Sequence, residues 1–368
     1  MGGLLAVKVL HYVDADNLSW AASYIDHMKA LAHFGIDQAV LCRAGGDVER
    51  NARENNIPVF TWRPIMSGLP ALSPGFVKLI REIKPDIIHT RLSSAAGIAG
   101  FWKKYHGVPV VSTFDKPAKA KYYVHSSWYI SCAEWLKRYM VNVQGIDAER
   151  VTVIHNHADI SKFSRDEEAR CEFRKSLGLN DEDILFSGMG IYIHRKGFDV
   201  LIKAFARVCD SYAGDKSLRL ALIGGSGEEG MREKYLTLAN ELGVKIILPD
   251  GFVDDVRKWL WASDIFVMPS RAEGFSIALL EGLASGLPAV VSDIEPFTEI
   301  ISPERDNGLV AKKDDPESFA AMMLKMLEMT QEQRQKITAN SFKLLKEFFT
   351  PEISASKTFA VYSALCSR

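Results

Sequence analysis

The sequence predicts two doubly wound α/β domains in tandem, and three observations carry that prediction. Short apolar runs of strand length alternate with helix-length stretches along the chain, the order of βαβ units in a parallel sheet. At 368 residues the chain is too long for one ordinary core and suits two. A turn-rich segment, Asn156 to Ser164, then interrupts the alternation before a second series begins.

In the first series, Leu5 to Tyr12 reads as a buried strand and Trp20 to Phe34 as the helix after it, stopped by Gly35. Ala39 to Cys42, Val59 to Trp62, Ile87 to His89, Val108 to Ser112, Tyr129 to Ser131 and Val151 to His155 are further apolar runs too short for helices. Pro74 to Ile83 and Ala95 to Tyr105 are the helices between them. The second series opens at Ile184 to Met189 and runs through helix Phe198 to Cys209, strand Arg219 to Ile223 and a turn at Gly224, Gly225, Ser226 and Gly227. Helix Glu229 to Leu242, strand Ile246 to Leu248 and helix Val253 to Ala262 follow.

Next comes the most informative stretch. Ile265 to Met268 is a buried strand, Pro269 to Gly274 a loop, and from about Ser276 the residues Ile277, Leu280, Leu283 and Ala284 repeat at helical spacing. Gly286 and Pro288 stop that helix before strand Ala289 to Val291. Ala311 onward is expected to be helical, and Phe342 to Arg368 reads as a helix pair broken at Thr350 and Pro351. The expected boundaries are 1–165, completed by the C-terminal helix 351–368, and 166–350. Ligands of such sheets bind outside the carboxyl ends of the strands, so a cleft between facing domains is expected.

Composition excludes several classes. Hydrophobic content of 47% and charged content of 25% are those of a globular protein. The net charge of −1 hides an asymmetry: residues 1–165 hold 20 Lys plus Arg against 14 Asp plus Glu, the remainder 25 against 32. Five dispersed cysteines without a CxxC pair argue against a disulfide framework or zinc site and for a reducing compartment. No leader-like segment and no apolar stretch near the ~20 residues of a spanning helix is seen, so a cytoplasmic location is expected.

Two glutamates flank the helix start in the informative stretch, Glu273 in the loop and Glu281 inside the helix, about two turns along at ~1.5 Å per residue. Amides at Phe275, Ser276 and Ile277 and the helix dipole favour an anion there, and Gly274 permits close approach. A sugar nucleotide suits this pattern, with its sugar near Glu273, its diphosphate at the helix start and its ribose near Glu281. For a bare Glu pair, dipole pairing and a solvated face are the commoner reason for the spacing, since helix starts are rich in Glu.

The whole string PSRAEGFSIALLEGLASGLPAVVSD resembles the E-x7-E region of family 4 retaining glycosyltransferases of the GT-B fold. Further matches are SGMGIYIHRKGFDVLIKAF, the turn Gly224 to Gly227, Gly251 with Phe252 and Val253, Thr298 with Glu299, and Asn307 to Leu309. The resemblance implies an acceptor-binding first domain and a donor-binding second one. It implies donor positioning by Glu273, diphosphate binding by Lys196 with Arg195, base and phosphate contacts from Gly225, Phe252, Gly274, Phe275, Ser276 and Ile277, and ribose binding by Glu281. A nucleoside diphosphate sugar is then a co-substrate, and no metal or other cofactor is expected.

The sequence departs from the family pattern in four places. Ile191 stands where an Arg is usual, leaving Arg195 or His194 to substitute. Asp14 to Ser19 lacks the glycines that usually bend under the donor, so Asp16 and Asn17 are candidates for the acceptor instead. Asp115 stands where relatives carry His, and it is a candidate to accept a proton or hydrogen-bond a sugar hydroxyl. His157 replaces a Gly, and His125 reads as ordinary surface.

Basic and aromatic residues interleave at Phe101 to Tyr105, at Lys116 to Tyr123 and at Lys137 to Tyr139, a pattern of peripheral contact with an anionic membrane or of solvated helix faces. No nucleic-acid motif accompanies it. The expected function is transfer of a sugar from a nucleoside diphosphate sugar to a hydroxyl of a glycan or lipid-linked glycan, in bacterial cell-surface polysaccharide or lipopolysaccharide biosynthesis. An epimerase or hydrolase on the same scaffold and a two-domain sugar-binding protein are the alternatives.

Overall fold

The computed structural model describes residues 7–16, 18, 20–225, 227–253 and 255–367. Two compact units are present, Met1–His157 with Phe349–Arg368, and Ala158–Phe348.

In the first unit the strands are β1 Lys8–Val13, β2 Asp37–Cys42, β3 Val59–Thr61, β4 Ile87–Arg91, β5 Val110–Phe114, β6 Trp128–Ser131 and β7 Val151–Val153. All pair parallel, in the order β3-β2-β1-β4-β5-β6-β7. The chain starts at the centre, steps outward to β3 and returns to β4. Strand order therefore reverses between β1 and β4, where the loops diverge and leave room for a ligand.

Alternation along β1 sorts its side chains between two layers. Leu10 and Tyr12 pack with Phe76, Ile80 and Ile98 of the helices Gly75–Ile83 and Ser93–His106. Val9 faces the other side, in one cluster with Leu31 of the helix Ala21–Ala32 and Val361 of the helix Pro351–Cys366. Burying each such aliphatic side chain contributes about 1.5–3 kcal/mol. The second layer also has a polar seam. His89 Nδ1 lies 2.6 Å from the Tyr362 hydroxyl and its Nε2 2.7 Å from Thr113 Oγ1, and Ser354 Oγ lies 3.2 Å from His27 Nδ1. The C-terminal helix is thus docked by buried histidines as well as by apolar contact.

The second unit holds β8 Ile184–Met189, β9 Leu218–Ile223, β10 Ile246–Ile247, β11 Ile265–Met268, β12 Ala289–Ser292 and β13 Leu309–Ala311, in the parallel order β10-β9-β8-β11-β12-β13. Here the order reverses between β8 and β11. Phe186, Leu220 and Val267 pack with Leu201 and Phe205 of the helix Phe198–Ser211 and with Phe319 and Met323 of the helix Pro316–Glu328. Leu185 and Ala221 face the opposite layer, against Phe173 and Ala262.

The alternation of strands and helices expected from the sequence is what forms, with differences where local signals were weak. Ala311 is not the start of a helix: Leu309–Ala311 is an edge strand paired to β12 in the register Val291↔Val310. Three residues are too few to show a period, and the helix begins only at Pro316, after Asp315 accepts a hydrogen bond from the Ser318 amide. The strand at Val151 stops at Val153, and the helix expected from Val253 opens at Arg257. The charged helices Asp47–Glu54 and Glu167–Ser176 carry too few apolar residues to announce themselves.

Candidate active site

The candidate site of the second unit is built from the loops that follow β8 and β11, the two strands flanking its order reversal. After β8 the chain makes a single 3-10 turn, His194–Lys196, and enters the helix at Phe198 through Gly197. Gly197 has φ +70°, and a Cβ there would stand 2.1 Å from the Pro269 carbonyl oxygen. Only glycine permits both the left-handed backbone and the contact with the loop after β11.

That contact is locked by Arg271. Its amide donates to Arg195 O at 2.8 Å, and its guanidinium donates to His194 O at 2.6 Å and to both Asp199 carboxylate oxygens at 2.8 Å. Asp314 lies 2.7 Å from the same guanidinium. The hydrogen bonds it donates to Asp199 and Asp314 push Arg271 further up from the already high range of arginine. Nothing in the sequence announces this residue, since an Arg two positions before a Glu has no spacing signature. Its role is positioning: it fixes one cationic loop against the other.

Held this way, Glu273 meets both basic residues of the β8 loop. Lys196 Nζ donates to Oε1 at 2.6 Å and Arg195 to Oε2 at 2.7 Å, while Ser270 Oγ donates to Oε1 at 2.9 Å. The Glu273 side chain is only 6% exposed and that of Lys196 11%. Desolvation alone would raise the Glu273 pKa, but Lys196 and Arg195 outweigh it and hold the carboxyl below its ordinary value. The site therefore carries a buried carboxylate with two cations, ordered before any ligand arrives.

Ser276 is the N-cap of the helix Ile277–Ala284, its side chain accepting from the Leu279 amide at 3.2 Å. The helix opens one residue later than expected, so its first amides are those of Ile277 and Ala278, which have no intrahelical acceptor. Phe275 is buried ahead of the cap. Glu281 lies in the second turn of this helix. It is partly buried and its carboxyl has no hydrogen bond or ion pair among the described residues, so desolvation pushes its pKa up to about 8. A carboxyl left this way by the protein is available to a ligand's hydroxyls.

Gly225 and Phe252 also come together. A Cβ on Gly225 would lie 2.4 Å from Gly251 O and 2.6 Å from Phe252 Cα, so the glycine turn permits close backbone packing. The same turn accepts from the Tyr192 amide at 3.3 Å through Gly225 O, tying it to the β8 loop. The Phe252 ring is exposed. His194 is exposed, and Arg195 is engaged with Ala272 O at 2.8 Å and with Glu273.

In the first unit, Asp115 follows β5 and pairs with Arg91, the last residue of β4, at 3.3 Å. Neither Asp115 oxygen has a hydrogen-bond partner among the described residues, and burial raises its pKa against the opposing pull of Arg91. Arg91 stacks 5.3 Å from the centres of the Trp20 and Tyr24 rings. Leu92 beside it holds φ +71°, an uncommon conformation for a branched residue. Asp16 is bound by Arg43 at 2.9 Å and Arg63 at 3.1 Å, chiefly through Arg43, which lowers its pKa. Asn17 lies outside the described residues. His157 is buried and stacked 5.5 Å from His27, and His125 is exposed.

Comparison with known proteins agrees with this architecture. Residues 169–344 match the family of glycosyl transferases group 1, and residues 22–162 match Glycosyltransferase Family 4. An uncharacterized glycosyltransferase of Methanocaldococcus jannaschii is 28% identical over 266 residues, 71% of this chain but only 63% of that relative's length. The lipopolysaccharide core biosynthesis glycosyltransferase LpsE of Rhizobium meliloti is 28% identical over 325 residues, covering 85% of this chain and 87% of LpsE. Among solved structures, Anabaena HepE in complex with UDP and glucose superposes with a TM-score of 0.84 at 17% identity, over 97% of this chain and 100% of HepE, which is a likeness of fold. With both units matched and each holding a parallel sheet, the chain belongs to glycosyltransferase family 4, the group 1 glycosyl transferases, of the GT-B fold.

Proposed function

We propose that this glycosyltransferase moves a sugar, with retention of anomeric configuration, from a nucleoside diphosphate sugar to a hydroxyl of a glycan or lipid-linked glycan. The observation that carries the reading is the buried Glu273 carboxylate held by Lys196 and Arg195 beside the start of the helix Ile277–Ala284. A diphosphate at that helix start meets cations and free amides, while the Glu273 carboxylate is oriented to accept hydrogen bonds from sugar hydroxyls.

In the step proposed, the bond from the anomeric carbon to the diphosphate oxygen breaks and a bond to the acceptor oxygen forms on the same face. The acceptor proton passes to the departing diphosphate oxygen. Lys196 stabilises the charge growing on that oxygen, and Glu273 positions the donor sugar rather than attacking it. Glu281 binds the ribose diol, and the exposed Phe252 ring with Gly225 serves the base. Asp115, ion-paired with Arg91 but without a hydrogen bond among the described residues, is assigned to an acceptor hydroxyl, and Asp16 to its periphery.

The nucleotide sugar is supported by HepE, whose structure holds UDP and glucose. A relative named for lipopolysaccharide core biosynthesis supports a cell-surface glycan as the acceptor. A thermal-shift screen of nucleoside diphosphate sugars, followed by NMR of the product's anomeric proton, tests the reading. A stabilising donor and a retained configuration are expected; an inverted product, or free sugar as the sole product in the presence of glycan acceptors, would overturn it.

A further inference from the structure

A surface of the first unit combines exposed apolar side chains with cations that make no ion pair among the described residues. It is made by the loop after β3, the helix Ser93–His106 and the loop after β5. Trp102 Nε1 donates to Pro70 O at 2.9 Å, which seats the first loop on the helix. A Cβ on Gly97 would stand 3.3 Å from Tyr122 O, and one on Gly100 2.1 Å from Val124 O, so the second loop lies against the same helix.

These segments leave large apolar groups in solvent. Ile65 is 79% exposed and Leu69 51%, and Met66, Leu72, Phe101 and Tyr105 are exposed beside them. Such a set is costly in water and marks an interaction site.

Charge selects the occupant. Residues 62–74, 93–106 and 115–124 contain six Lys or Arg and one acidic residue, Asp115, which is partly buried and paired with Arg91. Arg63 is engaged by Asp16 and Lys103 donates to Ser127 Oγ. Lys104, Lys116, Lys119 and Lys121 are exposed and make no ion pair among the described residues. The ammonium groups of Lys104 and Lys121 lie 4.9 Å and 5.1 Å from the ring centres of Tyr105 and Tyr122. The interleaved residues of the sequence are thus divided: Tyr123 stacks on Phe114 in the interior, while Phe101, Tyr105 and Tyr122 face out.

We propose that this face docks on an anionic phospholipid bilayer. Ile65, Met66, Leu69 and Leu72 enter the boundary between headgroups and acyl chains, the aromatic rings lie at headgroup depth, and the four lysines meet lipid phosphates. No helix among the described residues is long and apolar enough to cross a membrane, so the association is from one side.

Co-sedimentation with phosphatidylcholine vesicles, with and without phosphatidylglycerol, tests the proposal. The full chain is expected to sediment with the anionic vesicles and to leave them as salt rises from about 0.05 M to about 0.5 M. The double substitution Lys119→Ala with Lys121→Ala is expected to lower the partition coefficient roughly 30-fold, and Ile65→Ser with Leu69→Ser roughly 10-fold or more. All four side chains are exposed, so circular dichroism and Tm should match the wild type. Absence of wild-type binding to anionic vesicles at low salt would overturn the proposal. So would wild-type binding by both double variants, or a self-association abolished by Leu69→Ser, which would assign the face to a second copy of the chain.

Discussion

Lys196 Nζ lies 2.6 Å from Glu273 Oε1, an ion pair joining the loops that follow β8 and β11 on either side of the strand-order reversal. Both side chains are buried, so their value depends on each being present. Lys196→Ala should cost about 3 kcal/mol of stability, less than a fully unpaired carboxylate would because Arg195 and Ser270 still reach Glu273. Combining it with Glu273→Gln should recover part of that loss. Denaturant unfolding of the two single variants and the double variant measures the coupling, and strict additivity would deny it.

Gly197 should tolerate no side chain. Its φ of +70° and the 2.1 Å from a Cβ to Pro269 O mean that Gly197→Ala must shift the 3-10 turn carrying Lys196 away from the β11 loop. A loss of about 1–3 kcal/mol is expected from the backbone conformation alone, together with a fall in turnover. Calorimetric Tm and steady-state kinetics on the same variant check both.

Glu281 titrates at about 8 in the folded chain against 4.5 for the ordinary group. The folded state then holds a proton that the unfolded state has released, so stability falls as pH rises between 4.5 and about 8 and levels off above it. Replacing the carboxyl by an amide removes this slope. Glu281→Gln should lose less Tm between pH 6 and pH 9 than the wild type, and Glu281→Ala should raise the donor KM with a smaller effect on kcat. Parallel Tm profiles would contradict the desolvated carboxyl.

Acid should act in the opposite sense on the first unit. Burial lowers His11 from 6.5 to about 4, with Gln38 opposing and Arg91 reinforcing the shift, and burial likewise holds His27 and His89 well below the ordinary value. The unfolded state binds these protons first, so stability is lost as pH falls from 6.5 towards 4, by up to about 1.4 kcal/mol per pH unit for each histidine. Unfolding midpoints from pH 7 to pH 4.5 should drop steeply, and His11→Gln should remove roughly one proton from that slope.

How legible this was in the sequence varied with the physical signal. Long apolar runs such as Ile184 to Met189 and Ile265 to Met268 stood at their observed bounds, because strands buried on both faces need continuous apolar residues. Leu309–Ala311 escaped because an edge strand of three residues has no period, and Glu167–Ser176 because its exposed face is charged. Glu273 and Lys196 each stand in a legible motif, and no spacing rule announces that they touch. Their contact depends on Arg271 and Gly197, whose partners Asp199, Asp314 and Pro269 are brought near only by the fold. Asp115 was visible through its departure from the family residue, whereas Arg91 and its Trp20 and Tyr24 platform were not.

The central claim is that the cluster of Lys196, Glu273 and the helix start at Ile277 receives a nucleoside diphosphate. Isothermal titration calorimetry of UDP, ADP and GDP against the wild type, Lys196→Ala and Glu281→Ala tests it most directly. One nucleotide should bind the wild type and lose about tenfold or more in affinity with Lys196→Ala, as expected for a lost charge-assisted contact of about 1.5–3 kcal/mol. It should lose roughly three- to tenfold with Glu281→Ala, since the neutral Glu281 carboxyl makes an ordinary hydrogen bond of about 0.5–1.5 kcal/mol. Binding unchanged in both variants, or no heat from any nucleotide, would contradict it.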